Sequence, residues 1–424
     1  MTQGISLLNE LVAGHFLPGP PETIGLAVSG GGDSIALMHL MAEIAAGGAL
    51  SLRAATVDHG LRPEAAQEAR RVGEAAAALG IPHDILRWEG WDGQGNLQDQ
   101  ARRARYGLLG AWAKAHGIRQ VALGHTADDQ AETFLMRLAR SAGVDGLSGM
   151  APRRRIGAVT FVRPMLDIRR AVLRSFLQGR GVSWIEDPSN DDDRFDRVRA
   201  RQALSLLEPL GLTVQAVAGT AKNLASVRAT LGWYAFSESQ RLVRFEGGDL
   251  VMARSGYRVL QPEIARRLLA QALVWVSGAD YAPRGRALGL AQEAVRSGTG
   301  MTLHGCVITV NTREVRVTRE AAAVAGLTCP PDAIWDGRWR MVPPWGLAAE
   351  GAPEETEIRA LGEEGLRQLS EWRAGGLPYR SLLGYPSVWT GDKLIAAPHA
   401  GFAQGWRAEL VRGEDSFHAA LLTQ

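Results

Sequence analysis

Residues 29–34, which read SGGGDS, carry the strongest chemical signal in this 424-residue sequence. Consecutive glycines let backbone N–H groups turn toward one point, and a helix that follows adds a partial positive charge. The segment therefore suits a polyphosphate, although it lacks the Gly-Lys-Ser/Thr ending of a Walker A motif and does not match GxGxxG. Asp33 is a carboxylate in a phosphate site, where it would ligate Mg²⁺ or organise the loop. The plainer alternative is a tight strand-to-helix turn that Asp33 caps.

A second group of polar side chains follows at His125, Asp128, Asp129 and Glu132. On a helix that begins near Asp128, with Asp128 at the cap, Asp129 and Glu132 share one face because they are three residues apart. Carboxylates at a helix N-terminus are stabilising by about 0.3–1 kcal/mol, so a capping cluster is one explanation. An anionic pocket for an ammonium group or a metal ion is the other. The HExxH spacing of many zinc sites is not present.

Two further segments offer binding groups. Asp58 follows a predicted strand, where it suits an adenosine ribose or, alternatively, forms a turn. Arg102 and Arg105 lie on adjacent turns of a predicted helix, where they reach phosphate or form a solvated basic face.

Arginine is concentrated between residues 151 and 201. This stretch has twelve arginines against seven acidic residues, a local charge of +5, whereas the whole chain carries only +2. A local basic surface beside a nucleotide site suits a polyanionic substrate such as RNA, and a salt-bridged linker explains it as well.

Short apolar runs alternate with helical stretches over the first 140 residues. Strands are predicted at 23–28, 52–57, 84–88 and 121–124, and helices at 35–46, 64–79, 97–116 and 128–140. Strands separated by helices of this length imply right-handed βαβ units, and therefore an α/β fold with a parallel sheet and helices on both faces. Ligands of such sheets bind beyond the carboxyl ends of the strands, where SGGGDS and residues 125–129 both fall.

The rest of the chain reads differently. Helices are predicted over 204–245 and 262–297, a β-hairpin over 301–319 and a linker over 327–332. We therefore predict a catalytic domain over 1–205, a mainly helical middle domain with a β-hairpin over 206–326, and a small mixed α/β domain over 327–424.

Only two cysteines are present, Cys306 and Cys329, which excludes a disulfide framework and a cysteine-rich zinc site. No Lys or Arg precedes Arg53, as a secretory leader would require, and no apolar stretch approaches the roughly 18 residues that span a bilayer. We expect a soluble cytoplasmic protein without membrane partners.

The sequence resembles the tRNA(Ile)-lysidine synthetase family of the N-type ATP pyrophosphatases, the PP-loop superfamily. SGGxDS alone identifies only the superfamily, whereas the joint occurrence of HxxDDQxET, RPML and EDPSN is far more specific. The resemblance is dense from 23 to 201 and thinner afterwards. The blocks that carry it are AVSGGGDSIAL at 27–37, VDHGLR at 57–62, ARRARY at 101–106, GHTADDQAETFLMRLAR at 124–140, GLSGM at 146–150, RPMLDIRR at 163–170 and WIEDPSNDDDRFDRVRAR at 184–201.

The resemblance implies an adenine nucleotide alpha-hydrolase-like sheet and a ligase. ATP would adenylate the C2 oxygen of the wobble cytidine in the CAU anticodon of a minor isoleucine tRNA, with release of pyrophosphate. The ε-amine of free L-lysine would then displace AMP, and lysidine would form. The domain over 327–424 would bind tRNA or be auxiliary, and the resemblance leaves a homodimer open.

The same resemblance implies residue roles. Mg²⁺ held by Asp33 would neutralise the leaving pyrophosphate. Asp129 and Glu132 would hold the ammonium groups of lysine, and His125 or one of the carboxylates would take the proton that frees the ε-amine. Arg105 and Arg197 would steady the adenylate. The residues that would bind the nucleotide are Ser29, Gly30, Gly31, Gly32, Asp33, Ser34 and Asp58.

The sequence departs from the family pattern at Ala65, at 141–143 and at Val198. Three alternative functions are also open. A tRNA thiolase needs a cysteine near the nucleotide site, whereas both cysteines lie past residue 300. An ammonia-using synthetase of the superfamily would not require the arginine-rich stretch. A nucleotide sensor without turnover would bind ATP and release no AMP.

Overall fold

The computed structural model describes residues 2–16, 19–48, 50–60, 64–89, 97–186, 194, 196–344 and 356–423, without the side chains of 2–6 and 98. The chain divides into two compact units, 1–228 and 229–424. The finer division into three domains, with boundaries near 205 and 326, stays a prediction.

The first unit is built on a six-stranded sheet. Its strands are β1 (Thr23–Ala27), β2 (Ser51–Asp58), β3 (His83–Arg87), β4 (Gln120–Leu123), β5 (Arg153–Ile156) and β6 (Val159–Val162). Their order across the sheet is β3-β2-β1-β4-β6-β5. All neighbours are parallel except β5, which pairs antiparallel with β6 at one edge. The predicted parallel sheet is confirmed, and β5 and β6 are additions that the apolar pattern did not indicate.

Helices pack on both faces of this sheet, with α2 on one face and α4 on the other. The helices from residue 2 to residue 242 are α1 (Thr2–Ala13), α2 (Gly32–Ala45), α3 (Ala65–Ala78), α4 (Leu97–Ala115), α5 (Ala127–Leu138), α6 (Val144–Leu147), α7 (Arg170–Gln178), α8 (Asp196–Leu207) and α9 (Val214–Leu242), and α9 continues past the end of the first unit. Because side chains alternate along a strand, Ile24 and Leu26 of β1 enter one apolar core and Ala27 enters another. Leu37 of α2 belongs to the first core and Trp112 of α4 to the second.

The second unit begins with a five-stranded antiparallel sheet. Its strands are β7 (Val243–Glu246), β8 (Asp249–Ala253), β9 (Met301–Leu303), β10 (Cys306–Val310) and β11 (Glu314–Arg319). They follow the order β7-β8-β11-β10-β9. Three helices accompany them: α10 (Arg254–Val259), α11 (Pro262–Ser277) and α12 (Gly285–Ser297).

Three predicted elements are wrong in detail. The helix predicted over 204–245 is two helices and a strand, because Gly211 adopts φ +83° after a short 3₁₀ turn and β7 begins at Val243. The helix predicted over 262–297 is broken after Gly278, where φ is +70° and a left-handed residue ends α11. The hairpin predicted over 301–319 exists as the β10–β11 pair, but β9 adds a third strand.

The last part of the chain forms two three-stranded antiparallel sheets, β12-β13-β17 and β14-β15-β16. The elements are α13 (Ala321–Val324), β12 (Ile334–Trp335), β13 (Trp339–Val342), β14 (Thr356–Ala360), α14 (Gly362–Arg367), α15 (Tyr379–Leu383), β15 (Pro386–Thr390), β16 (Lys393–Ala396), β17 (Arg407–Leu410) and α16 (Glu414–Thr423). The predicted linker is partly structured, since Cys329 bridges to Ile358 through two backbone hydrogen bonds. None of the described helices combines the length and the hydrophobicity that crossing a membrane requires.

Candidate active site at the carboxyl edge of the parallel sheet

The glycine loop joins β1 to α2 and is crossed by the segment 184–186. Ile185 donates its backbone N–H to the carbonyl of Gly30 over 2.9 Å. Gly30 has φ +91°, and a Cβ there would lie 2.7 Å from Ile185 Cδ1. A Cβ on Gly32 would lie 3.3 Å from the ring of Trp184. Glycine is thus required both for the loop's conformation and for this close approach.

The side chain of Ser34 forms hydrogen bonds to the backbone of the glycine loop. Ser34 donates its hydroxyl to the carbonyl of Gly31 over 2.9 Å and accepts the backbone N–H of Ser29 over 3.2 Å. The two hydroxyl oxygens lie 3.2 Å apart. Ser34 therefore holds the loop in shape, and donation from either serine to phosphate stays a prediction.

Gly124, directly after β4, fixes the distance between β4 and the loop. A Cβ on Gly124 would lie 3.0 Å from the backbone N and Cα of Ser34 and 3.1 Å from the carbonyl carbon of Asp33. These are backbone atoms at the start of α2, so they cannot rotate away as a flexible side chain would.

We therefore expect Gly124→Ala to displace the loop and lower kcat/KM for ATP by about tenfold, equivalent to about 1.4 kcal/mol. Steady-state AMP formation measures this. Gly110→Ala is the matched control, because a Cβ on Gly110 meets nothing within 4 Å. Equal kinetics for the two variants would contradict the expectation.

Arg170, the first residue of α7, joins the carboxylates of α2 and α5. Its Nε donates to Asp33 Oδ2 over 2.9 Å and its Nη1 to Glu132 Oε1 over 3.3 Å. Its Nη2 lies 3.4 Å from Asp129 Oδ1. Its backbone N–H donates to Asp128 Oδ2 over 2.7 Å. One guanidinium group therefore contacts three carboxylates, of which Asp33 was predicted to bind Mg²⁺ and Asp129 and Glu132 to bind lysine.

Asp33 keeps one oxygen without a partner. Oδ1 is buried and makes no hydrogen bond within the residues that the structure describes. Burial raises the pKa of Asp33 above its usual range, and the opposing charge of Arg170 compensates only in part. A buried, unpaired carboxylate oxygen beside a phosphate-type loop fits a cation ligand.

Thr126, not Asp128, caps α5. Thr126 has an extended backbone and forms a capping box with Asp129, whose Oδ2 accepts both the backbone N–H and the hydroxyl of Thr126 over 2.8 and 2.9 Å. The cap predicted at Asp128 is wrong by two residues, because aspartate and threonine both favour the N-cap position. Burial alone would raise the pKa of Asp129, but the charge of Arg170 and the hydrogen bond from the Thr126 amide lower it.

Glu132 is almost fully buried, with 1 % of its surface exposed. Oε1 accepts from Arg170 and, over 3.0 Å, from Arg201 Nε, whereas Oε2 is buried and has no partner in the described part of the chain. Beside it lies a cleft of about 110 Å³ between α5, α8 and the start of α9. The cleft is lined by Asp128, Glu132, Arg169, Arg201, Leu204, Ser205, Glu208, Thr213 and Val214.

His125 lies between the acidic and the basic parts of the site. Its Nδ1 is buried and unpartnered among the described residues. Burial, with the charges of Arg105, Arg163 and Arg197, lowers its pKa to about 3, although Asp129 opposes the shift. His125 is therefore neutral at physiological pH.

The basic part consists of Arg105, Arg163 and Arg197. Burial lowers the pKa of Arg105, and the neighbouring charges of Arg102, Arg197 and Arg163 lower it further. Within the described ranges, none of the three makes an ion pair with a carboxylate. Arg197 is exposed on α8.

The remaining predicted site residue, Asp58, is engaged locally. Its Oδ1 accepts the backbone N–H of Gly60 over 2.9 Å, which is the turn alternative, and contact with a ribose stays a prediction. Residues 61–62 of VDHGLR and 187–190 of EDPSN lie outside the described residues. Arg170 and Arg201 were not predicted as site residues, although they are the last residues of the blocks RPMLDIRR and WIEDPSNDDDRFDRVRAR.

Comparison with known proteins decides the family. A family model for a PP-loop domain matches residues 7–207. A tRNA(Ile)-lysidine synthase from Ruegeria pomeroyi is 51% identical over 98% of this chain and 98% of its own length. Another from Hyphomonas neptunium is 41% identical over 68% of this chain and 78% of its own length. The chain belongs to the tRNA(Ile)-lysidine synthase family. The resemblance and the fold class predicted from the sequence are confirmed.

Among solved structures, the U34-tRNA thiolase NcsA from Methanococcus maripaludis is similar with a TM-score of 0.46 and 16% identity, over 52% of this chain and 78% of that chain. This similarity is too low to bear on the function of a tRNA(Ile)-lysidine synthase family member.

Proposed function

We propose that this chain ligates free L-lysine to C2 of the wobble cytidine in a CAU-anticodon isoleucine tRNA, consuming ATP and releasing AMP and pyrophosphate. The enzyme class, an ATP-using ligase that modifies tRNA, follows from family membership. The residue roles proposed below are supported by one observation: Arg170 connects the end of the glycine loop to α5. Asp33 and Glu132, the residues suited to nucleotide and to lysine, share one guanidinium group.

The loop and the N-terminus of α2 hold the phosphates of ATP. Asp33 Oδ1 suits a magnesium ion, because it is a buried hard oxygen that has no hydrogen-bond partner in the described ranges. A bound Mg²⁺ would neutralise the negative charge that develops on the leaving pyrophosphate. The charge of Arg170 favours the ionised form of Asp33 and its Nε holds Oδ2, so Oδ1 is oriented before nucleotide binds.

Glu132 receives the amino group of lysine. Its Oε2, which has no partner among the residues with a described position, is an acceptor for an ammonium, and the adjoining cleft has a second carboxylate, Asp128. Asp129 has no free oxygen for lysine, since Thr126 binds its Oδ2 and Arg170 binds its Oδ1. Its role is to position Arg170 and the start of α5. The ε-amine attacks only without its proton, because an ammonium has no lone pair. His125 Nδ1 has no partner within the described residues and is placed to accept that proton, but its lowered pKa makes it a weak base, so the carboxylates are the alternative acceptors.

Arg105 and Arg197 contribute positive charge where the adenylated cytidine forms. Guanidinium groups without carboxylate partners are suited to the phosphate of the adenylate, and they do not have to break an existing ion pair to bind it. The predicted homodimer and the cytoplasmic location stay predictions.

A tRNA thiolase is the nearest alternative function. The two cysteines lie in the second unit, and burial raises the pKa of Cys306 to about 12. Its thiol is protonated at neutral pH, so it is not a sulfur nucleophile there.

One assay tests the ligase function directly. Purified protein, ATP and labelled lysine are combined with isoleucine tRNA that has either the CAU anticodon or a substituted wobble base. We expect lysine incorporation and lysine-dependent AMP release only with the CAU tRNA. ATP binding without AMP release would instead identify a nucleotide sensor.

The lysine site is tested by Glu132→Gln. The amide keeps the shape but replaces the carboxylate charge, so we expect KM for lysine to rise by about tenfold and KM for ATP to change much less. Asp129→Asn should act in the same direction. Glu208→Gln is the control, because Glu208 lines the same cleft but is exposed. Equal increases in both KM values for Glu132→Gln would contradict an ammonium pocket.

A further inference from the structure

Tyr106, in the middle of α4, is surrounded by guanidinium groups from three elements. Arg163, directly after β6, donates from Nη2 to the Tyr106 hydroxyl over 3.0 Å. The guanidinium carbons of Arg102 on α4 and Arg154 on β5 lie 5.4 and 5.6 Å from the centre of the Tyr106 ring. We call Arg102, Arg154, Arg163 and Tyr106 the tyrosine–arginine cluster.

No carboxylate among the described residues balances the positive charge of this cluster. Within the residues that the structure describes, Arg102, Arg154 and Arg163 make no ion pair with a carboxylate. Arg163 is 2 % exposed, and its Nε is buried without a hydrogen-bond partner. Unpaired guanidinium groups repel one another, so a cluster of them is maintained at a cost unless an anion neutralises it.

The cluster has the donors that a phosphate requires. The Tyr106 hydroxyl accepts from Arg163, which leaves its own proton for donation to another oxygen. Arg102 and Arg154 are exposed, with forked donors accessible from solvent. Burial would raise the pKa of Tyr106, but the charges of Arg163, Arg102 and Arg105 lower it, so this position favours negative charge.

The cluster also adjoins the active site. Arg105 precedes Tyr106 on α4, and its charge acts on His125 after β4 and on His59 after β2. Arg163 lies at the carboxyl end of β6, the edge of the sheet where ligands bind. From there the positive side chains continue to β5, an edge strand whose residues Arg153–Arg155 are exposed.

We propose that the tyrosine–arginine cluster binds a backbone phosphate of the tRNA strand that presents the cytidine to the active site. This inference rests on the proposed function, because it assigns part of the tRNA to a surface next to the site. A phosphate of ATP is the other source of the same chemistry. The tRNA backbone is favoured because the cluster extends outward along exposed arginines of β5, as a chain of phosphates would.

The test is the double variant Arg102→Gln/Arg154→Gln, both changes being on exposed side chains. Filter binding of isoleucine tRNA is measured over a range of salt concentrations, together with KM for ATP and for lysine. We expect Kd for tRNA to rise roughly 10- to 100-fold at low salt. The slope of log Kd against log salt should fall by about 0.7, as expected for one phosphate contact on a single strand, and both KM values should stay within twofold.

Arg103→Gln is the matched control, since Arg103 lies on the same helix and already pairs with Asp99 over 3.0 Å. A rise in KM for ATP with unchanged tRNA affinity would assign the cluster to the nucleotide and overturn the proposal. Unchanged KM for ATP together with unchanged tRNA affinity would also overturn it. Tyr106→Phe, which removes the hydroxyl alone, should weaken tRNA binding less than the double variant. If the wild-type protein binds tRNA but incorporates no lysine, the proposed function fails, and the binding comparison still decides the role of the cluster.

Discussion

Replacing Arg170 by glutamine is expected to lower AMP formation by about 10³-fold and to destabilise the first unit more than any other single change at the site. The guanidinium is the shared partner of Asp33, Asp129 and Glu132, and its side chain is 18 % exposed. Removing one partner of a buried ionic group leaves charges without compensation, which costs about 3 kcal/mol or more. The catalytic loss follows because the Asp33 and Glu132 carboxylates lose the group that aims them.

The effect on stability depends on pH in a defined direction. With Arg170 present, the pKa of Asp129 is lowered in the folded protein, so its contribution to stability exists above the unfolded pKa and is lost as pH falls through the folded one. Without Arg170 this contribution decreases, because the strongest of the interactions that lower the pKa of Asp129 is lost. The pKa of Asp33, already raised, should rise further, so the folded variant takes up a proton more readily in acid. The difference in unfolding free energy between wild type and variant is therefore expected to be larger at pH 7 than at pH 4.

Denaturant unfolding at the two pH values and single-turnover AMP release measure these effects. Arg174→Gln is the control, because Arg174 lies on the same helix but forms only an exposed pair, 3.9 Å from Glu186. Arg170→Lys keeps the positive charge but loses the planar guanidinium that donates to several carboxylates. Compared with Arg170→Gln, it should therefore restore stability more than activity. A variant Arg170→Gln that behaves like Arg174→Gln would contradict the role of Arg170.

Asp33→Ala is expected to reduce AMP and pyrophosphate formation to background while largely sparing tRNA affinity. Alanine removes both Oδ1, which has no partner within the described residues, and the acceptor for Arg170, at the start of the helix that we propose faces the phosphates. Loss of a group that compensates developing charge commonly costs 10²- to 10³-fold, and loss of the proposed metal ligand adds to it.

Asp33→Asn separates these contributions. The amide oxygen still accepts from Arg170, so the fold around the loop is kept, whereas the charge that attracts Mg²⁺ is gone. We expect activity in this variant to require a higher Mg²⁺ concentration than in wild type, measured as pyrophosphate release over a Mg²⁺ titration. Asp167→Asn is the control, since Asp167 is an exposed partner of Lys222 in the same unit. Normal turnover by Asp33→Ala would remove Asp33 from the chemistry.

The parallel sheet and the loop were predictable because their signals are local. Buried strands such as Thr23–Ala27 are short apolar runs, and the consecutive glycines that follow are typical of a phosphate-binding loop. The acidic cluster on α5 was likewise predictable from three-residue spacing. The cap at Thr126 was misplaced by two residues because threonine and aspartate compete for that position.

Arg170 was not predictable as the centre of the site. Its partners lie 38 residues away at Glu132 and 137 residues away at Asp33, and they meet only through the packing of α2, α5 and α7. The β5–β6 pair was also missed, because an exposed edge strand that reads Arg-Arg-Arg has no apolar alternation. The tyrosine–arginine cluster depends on that pair, since Arg154 comes from β5.

The contact between Ile185 and Gly30 determines how short a working fragment of this enzyme can be. The Ile185 amide and the Trp184 ring form one wall of the glycine loop, and they come from a stretch far along the chain. A protein engineered to stop at the end of the parallel sheet would leave that wall missing and the Gly30 carbonyl open to water. A minimal nucleotide-binding fragment must therefore extend at least through residue 186.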